Sequence, residues 1–362
     1  MHSPVDKARN ILVVSCEAGG AQILSSMVKS KPNKNYFFCL EGPAVDIFEG
    51  KIRKMQMVPL DFISSNRRSV DLVLTSTSFL SDFERKAIAL AKKNKVKVAS
   101  VLDHWIGYRE RFLPMEIWKK IPVTWMNYLP DEIWVTDRCA FDIIQKEKFP
   151  MRLVSRMNNQ YLDDIALTFE NEAKRKRGPE ILPKNDVKIL YISEPVSEET
   201  RLMHRDPVHR GFSETDIVKA ILQFLVSNFS LTNIKFRLRL SPNEPQDKYD
   251  DLIKGVSQIE KSTSRTLIDD LLWANTVLGV ESPDLVLGLA AGKVVLIYQP
   301  ETALRNSCIP YKTIMRISAL DLELYNKLLE LVNPPPELPM PEFPSSRSGP
   351  MERPAFPRKP NF

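Results

Sequence analysis

The stretch Thr276–Pro300, TVLGVESPDLVLGLAAGKVVLIYQP, constrains the fold of this chain more than any other. Its two ends, Thr276–Val280 and Val294–Tyr298, are apolar and rich in β-branched residues, without the alternation of a half-exposed strand. Continuous apolar runs of this length are typical of parallel strands that are covered on both faces. The stretch therefore predicts a strand, a turn, a short helix and a second strand of an α/β sheet.

The middle of this stretch carries the signals of a short helix. Pro283 suits the first helical position, because a residue there has no intrahelical use for its N–H. We expect the helix to run to about Ala291 and to end at Gly292 in the left-handed conformation. Its N-terminus then lies at the carboxyl end of a strand, where open α/β sheets bind ligands and where free N–H groups favour phosphate. This predicts a ligand pocket near Glu281 and Ser282.

Composition bounds the class of protein. A chain of 362 residues suits two domains, and 43% hydrophobic and 27% charged residues are typical of a globular protein. No run of about 18 apolar residues or signal peptide is evident, and the four dispersed cysteines suggest neither a zinc site nor a disulfide framework. We expect a cytoplasmic protein without a metal or cofactor. A net charge of +6 fits an anionic ligand or a membrane surface, but does not by itself indicate nucleic acid.

The first half alternates strands and helices from Ile11–Ser15 to about residue 155. Gly19 and Gly20 follow the first strand and precede an amphipathic segment, Ala21–Val28, but lack the GxGxxG spacing of a dinucleotide fingerprint. The pair is either a tight turn or a ligand loop. Further along, Ser81-Asp82-Phe83-Glu84 has the spacing of a capping box at the start of a helix.

The strand Val96–Leu102 delivers Asp103 and His104 at its carboxyl end, the place where a doubly wound sheet exposes functional side chains. Either residue suits a general base, with Glu17 as a second candidate. A buried Asp-His pair with a structural role explains the pattern equally well. Arg109 lies in the aromatic and basic segment that follows, where it either contacts a sugar or phosphate or faces water.

The second half repeats the rhythm from Val187–Ile192, which is followed by Ser193 and Glu194. Ile234–Leu240 alternates apolar residues with basic ones, and Arg237 and Arg239 share one face because residues i and i+2 of a strand do. A polar insertion around residues 204–211 is either a lid or a long loop. We expect a first domain over residues 1–178 and a second over 187–332, with a linker near residues 178–186.

From residue 333 onward, ten of thirty residues are proline, so this tail cannot form a core and is expected to be disordered or polyproline II. Its PxxP spacings allow a polyproline-recognising partner, although such spacings arise in any proline-rich tail.

Three segments resemble GT-B glycosyltransferases of capsule and surface polysaccharide biosynthesis. Leu238–Pro245 is similar to their strand followed by an "HPxE" loop, Leu271–Tyr298 resembles their donor-binding segment, and Glu17–Met27 resembles their glycine-rich first turn. The chain departs from the pattern at Ser241, where many relatives have His, around Leu287–Leu289, where the helix carboxylate is missing, and at Val294. The resemblance implies two Rossmann-like doubly wound domains.

The resemblance also implies roles for the candidate residues. The donor nucleotide diphosphate of such enzymes lies against the second domain and leaves without a metal. The donor-side positions are Ser193, Glu194, Arg237, Arg239, Ser241, Glu281 and Ser282. The first domain carries the base, from Asp103, His104 or Glu17, and the acceptor side at Gly19, Gly20 and Arg109.

The implied activity is metal-independent transfer of a sugar from a nucleotide-activated donor to a surface glycan or glycolipid, with peripheral contact at the inner face of the membrane. Two alternatives stay open. One is a sugar-nucleotide epimerase, which requires carboxylates on both sides of the cleft. The other is a non-catalytic GT-B-like binding or scaffold protein, which the missing His and carboxylate favour. A dehydrogenase is disfavoured because no glycine fingerprint is present.

Overall fold

The computed structural model describes residues 4–79, 81–175, 186–242, 244–304 and 306–332. These residues divide into two compact units, one up to Asp163 and one from Asp164 onward. Most of the predicted linker, residues 178–185, and the predicted proline-rich tail lie outside the described residues. Within the described part of the chain, no helix has both the length and the apolar character needed to cross a bilayer.

The first unit contains a parallel seven-stranded sheet in the order β3-β2-β1-β4-β5-β6-β7. Its strands are β1 Asn10–Ser15, β2 Asn35–Leu40, β3 Gln56–Met57, β4 Leu72–Thr75, β5 Val98–Leu102, β6 Glu132–Val135 and β7 Val154–Arg156. Its α-helices are α1 Pro4–Lys7, α2 Ala18–Ser30, α3 Ala44–Glu49, α4 Phe62–Ser65, α5 Phe83–Lys93 and α6 Arg138–Lys146, and the division between the units falls within α7 Gln160–Arg175. Short 3-10 helices lie at Glu110–Phe112, Met115–Lys120, Trp125–Tyr128 and Met151–Leu153.

The second unit contains a parallel six-stranded sheet in the order β10-β9-β8-β11-β12-β13. Its strands are β8 Val187–Ile192, β9 Ile234–Arg239, β10 Ile259–Lys261, β11 Thr276–Gly279, β12 Val294–Tyr298 and β13 Met315–Ile317. Its further helices are α8 Val196–His204, α9 Glu214–Ser227, α10 Asp250–Ile253, α11 Leu267–Trp273, α12 Asp284–Ala290 and α13 Leu322–Val332.

The architecture confirms the predicted fold class of two Rossmann-like doubly wound units. The stretch from β11 to β12 forms as predicted, and its two strands pair in parallel from Thr276 opposite Val294. Gly292 adopts φ +66°, the predicted left-handed conformation after the helix. In the first sheet the strand order reverses between β1 and β4, and in the second between β8 and β11. The carboxyl ends of these four strands are the places where such sheets bind ligands.

Two local predictions are wrong. The helix after β1 begins at Ala18, so Gly19 and Gly20 lie in its first turn and not in a loop before it. Ser81 and Glu84 form no capping box, because the Glu84 side chain turns inward and accepts hydrogen bonds from the Cys16 amide and the Ser76 hydroxyl at 2.8 Å. A capping box does form at the start of α9, between Ser213 and Asp216.

Candidate functional site

Asp103 is enclosed at the carboxyl end of β5 in the first unit. Its side chain is only 6% exposed, and its Oδ1 accepts a hydrogen bond at 3.0 Å from the buried guanidinium of Arg111. Burial raises the pKa of the Asp103 carboxyl, while Arg111 opposes this shift, as do hydrogen bonds from the Thr77 hydroxyl and the Gly20 amide. The ion pair therefore offsets part of the desolvation of a carboxyl group at the ligand-binding edge of the sheet, and burial remains the larger effect.

Gly19 and Gly20 bring the N-terminus of α2 into direct contact with this edge. A Cβ atom at Gly19 would lie 2.3 Å from Asp103 Oδ2, and one at Gly20 would lie 2.2 Å from Ser76 Cβ. Any larger residue at these positions would displace either the first turn of α2 or the Asp103 and Ser76 side chains that it meets. The glycines thus serve close approach between helix and sheet, and they join the predicted acceptor-side positions to the predicted base.

The other first-unit candidates, Glu17, His104 and Arg109, each form a hydrogen bond with another residue of the same unit. Glu17 Oε1 accepts a hydrogen bond from the Phe79 amide at 2.8 Å, and His104 Nδ1 accepts one from the Trp105 amide at 2.9 Å. Arg109 donates to the Glu147 carbonyl at 2.6 Å and lies 5.2 Å from the centre of the Trp125 ring. Their roles in base catalysis and acceptor binding stay predictions.

Glu194 is held in a fixed orientation at the carboxyl end of β8. Its Oε1 accepts hydrogen bonds from the amides of Val280 and Glu281 at 2.9 Å, so the residue joins the ends of two neighbouring strands, β8 and β11. The pKa of Glu194 is raised to about 7, chiefly by burial and also by the nearby Glu199 and Glu281 carboxylates, while the hydrogen bonds from the two amides oppose the shift. A carboxyl group that titrates near neutrality suits proton transfer.

Glu281 is paired with Arg210, which the polar insertion supplies. Arg210 NH1 lies 2.9 Å from Glu281 Oε2, and NH2 lies 3.6 Å from Glu199. Glu281 Oε1 also accepts the Cys308 amide at 2.9 Å. Arg210 is 7% exposed, and its Nε finds no hydrogen-bond partner among the described residues. The insertion follows the helix α8, Val196–His204, which is not predicted from the sequence, and its residues 205–211 form turns.

A small pocket, partly open to solvent, lies beside this ion pair. The lining residues are Arg210, Phe212, Val280, Glu281, Tyr298, Gln299 and Ser307. Its cavity volume is about 10 Å³, which is about the space that one water molecule needs, so the pocket can receive one small polar group. Arg210 faces two carboxylates, so the balance of charge favours neutral hydroxyl groups over a phosphate.

Arg237 and Arg239 converge on Asp270, which is fully buried. Arg239 NH1 lies 2.6 Å and Arg237 NH1 3.3 Å from the Asp270 carboxylate, and Arg237 also pairs with Glu260 at 2.6 Å. These charges compensate one another within β9, β10 and α11. A leaving diphosphate, which these arginines are predicted to neutralise, would therefore have to compete for them with the Asp270 and Glu260 carboxylates.

Ser193 and Ser241 belong to a buried network around Glu244. The Ser193 hydroxyl and the Ser241 amide each donate to the Glu244 carboxylate at 2.8 Å, and the Tyr249 hydroxyl lies 2.9 Å from Ser193 Oγ. The network fixes the loops after β8 and β9. Ser282 Oγ accepts from the Asp284 amide at 3.2 Å, at the start of the seven-residue α12. Nucleotide-sugar binding by these serines stays a prediction.

Comparison with known proteins identifies the fold. No protein-family model and no curated protein sequence matches the chain. Among solved structures, a UDP co-structure of S. aureus MnaA matches with a TM-score of 0.60 at 12% identity, over 90% of this chain and 88% of that one. The fold is GT-B-like.

Two further structures support this assignment. The UDP-GlcNAc 2-epimerase of Methanocaldococcus jannaschii, in complex with UDP-GlcNAc and UDP, matches with a TM-score of 0.60 at 12% identity, over 90% of this chain and 93% of that one. Anabaena Alr3699/HepE in complex with UDP-glucose matches with a TM-score of 0.55 at 11% identity, over 88% of each chain. Identity at this level shows a shared GT-B-like fold and leaves the activity to be argued from the residues.

Proposed function

We propose that this protein binds a UDP-sugar and inverts one carbon of the sugar, as a sugar-nucleotide epimerase. In the proposed reaction the hydrogen of the inverted carbon leaves one face as a proton, the electron pair of the broken C–H bond stays on the substrate, and a proton from solvent returns to the other face. The observation that carries the proposal is Glu194, a carboxyl group that two backbone amides orient at the ligand-binding edge of the second sheet. Asp103 is a further carboxyl group, at the corresponding edge of the first sheet. The fold shared with UDP-GlcNAc 2-epimerases adds support.

Glu194 is the stronger candidate for proton transfer. Two backbone amides orient its carboxylate, and its pKa of about 7 allows it to give or accept a proton near neutral pH. Asp103 has its orientation fixed by Arg111 and by the first turn of α2. In this proposal Glu281 and the lining of the nearby pocket contact hydroxyl groups of the sugar or ribose.

The test is to incubate the protein with UDP-GlcNAc in D2O and follow the sugar by proton NMR and mass spectrometry. An epimerase yields a new set of anomeric signals, and its product carries deuterium at the inverted carbon. We expect Glu194→Gln and Asp103→Asn each to lower this rate at least about 100-fold, the scale of one lost acid or base. Glu198→Gln is the matched control, because Glu198 is exposed and pairs only across one helical turn with Arg201 among the described contacts.

Sugar transfer is the second candidate, and the donor-segment resemblance of Leu271–Tyr298 together with the match to HepE bound to UDP-glucose favours it. Transfer predicts release of UDP that depends on an added acceptor, without deuterium in the remaining donor. Binding of UDP-sugars with neither outcome, unchanged by Glu194→Gln, contradicts both enzymatic proposals and supports the non-catalytic alternative.

A further inference from the structure

An exposed apolar surface lies in the segment between β5 and β6 of the first unit. Val123 is 98% exposed, Met126 46% and Tyr128 38%. All three lie in or just before the 3-10 helix Trp125–Tyr128. We call these three side chains, together with the exposed lysines Lys92, Lys93 and Lys120, the Val123 surface.

The backbone under the Val123 surface is anchored, so its apolar side chains are held outward. Trp125 is buried between them and packs edge-on against Phe149 with ring centres 4.8 Å apart. Lys92 Nζ, at the end of α5, donates to the carbonyls of Asn127 and Leu129 at 2.7 Å. Exposure of grouped apolar residues on an anchored backbone is a common mark of an interaction surface.

The charged residues near the Val123 surface indicate what kind of partner it binds. Lys92 and Lys93 are exposed at the end of α5, and Lys120 is exposed three residues before Val123. The exposed acidic residues closest along these segments are Glu116 and Asp131, so three lysines stand against two carboxylates. The segments therefore combine exposed apolar side chains with a positive net charge, which is complementary to a negatively charged partner with an apolar interior.

We propose that the Val123 surface docks this protein on an anionic lipid bilayer. Val123 and Met126 enter the boundary between headgroups and acyl chains, Tyr128 lies at headgroup level, and Lys93 and Lys120 contact lipid phosphates. A second copy of the chain fits less well, because a two-fold interface would place the same lysines opposite one another.

The experiment is co-sedimentation of the full chain with vesicles of phosphatidylcholine, with and without phosphatidylglycerol, at low and high salt. We expect binding only to the anionic vesicles, weakened by salt. Val123→Asp, and separately Lys93→Glu with Lys120→Glu, should each lower the partition coefficient at least about tenfold, because each lysine near an anionic surface contributes a factor of about five. These residues are exposed, so the variants should keep the wild-type circular dichroism.

Two matched controls test whether binding depends on the Val123 surface itself or on any exposed apolar side chain or positive charge. Phe229→Asp removes an apolar side chain that is 80% exposed in the second unit, and Lys327→Glu reverses an exposed charge on α13. Both should bind anionic vesicles as the wild type does. Absence of binding by the wild type, or an equal loss in the controls, overturns the proposal. Self-association in light scattering that Val123→Asp abolishes, without lipid binding, also overturns it and assigns the surface to a second copy.

Discussion

At the scale of single residues, Gly19 allows the first turn of α2 to pack directly against Asp103, a candidate base. Because a Cβ atom there would lie 2.3 Å from Asp103 Oδ2, Gly19→Ala must displace either the carboxylate or the first turn of α2. We expect a loss of about 1–3 kcal/mol in the free energy of unfolding, the usual cost of overpacking, and a loss of turnover. Urea denaturation measures the first effect and the D2O assay the second.

The control for this variant is Gly50→Ala. Gly50 follows α3 with helical φ and ψ angles. A Cβ atom at this position would lie 3.3 Å from its nearest neighbour, the Asp46 carbonyl oxygen. We expect this variant to remain within about 1 kcal/mol of the wild type. Equal stability losses at Gly19 and Gly50 would show that close approach to Asp103 is not the reason for glycine at position 19.

The Glu194 carboxyl makes a prediction about pH. Its pKa rises from 4.5 in the reference state to about 7 in the folded protein, chiefly because of burial. Between these values the native state binds more protons than the unfolded state, so the free energy of unfolding falls as the pH rises through this window and levels off above about 7. Relative to Glu194→Gln, the wild type should lose up to about 3 kcal/mol between pH 4.5 and 8. Parallel denaturation profiles for the two proteins would be the contrary result.

At the scale of elements, Asp270 joins β9, β10 and α11. The Asp270 carboxylate is fully buried and accepts hydrogen bonds from the guanidinium groups of Arg237 and Arg239 and from the Ser262 hydroxyl. Asp270→Asn should destabilise the protein by about 3–5 kcal/mol, because it leaves arginines partly buried without their counter-charge. The matched variant Glu260→Gln affects a carboxylate that is 57% exposed and should cost at most about 1 kcal/mol.

Chemical denaturation of both variants measures this difference. If Asp270→Asn is as stable as Glu260→Gln while UDP binding is lost, the arginines serve the ligand and not the sheet. The result therefore decides between the structural contacts seen for Arg237 and Arg239 and the donor-binding role that the sequence resemblance implies.

The sequence predicts the central strands well because each carries a continuous apolar run, as β11 and β12 do. The edge strands β3, β7, β10 and β13 have only two or three residues, too few to show any period. The site is harder to predict. Position after a strand end indicates Asp103 and Glu194. Their partners, the Arg111 guanidinium for Asp103 and the amides of Val280 and Glu281 for Glu194, follow from tertiary packing, which leaves no periodic trace in the sequence. Glu84 shows the same limit, since its spacing predicts a cap and its burial gives it another role.

At the scale of the whole molecule, the two doubly wound units place carboxylates and close helix contacts at the carboxyl ends of β1, β5, β8 and β11. Fold similarity extends over about nine-tenths of the chain despite 12% identity to the UDP-GlcNAc 2-epimerase of M. jannaschii. Topology has thus been retained while the local residues differ, so the ligand must be established on this chain itself.

The most direct measurement is a thermal-shift titration of the purified protein with UDP, UDP-GlcNAc and UDP-glucose, with GDP and CMP for comparison. A ligand that binds only the native state raises the melting temperature in proportion to the logarithm of its concentration above Kd. We predict that the uridine nucleotides raise the melting temperature of the wild type. Ser282→Trp should abolish this shift, whereas Ser230→Trp, at an exposed position after α9, should preserve it. No shift with any uridine nucleotide, in a protein that unfolds cooperatively, would contradict the claim that this GT-B-like fold binds a UDP-sugar.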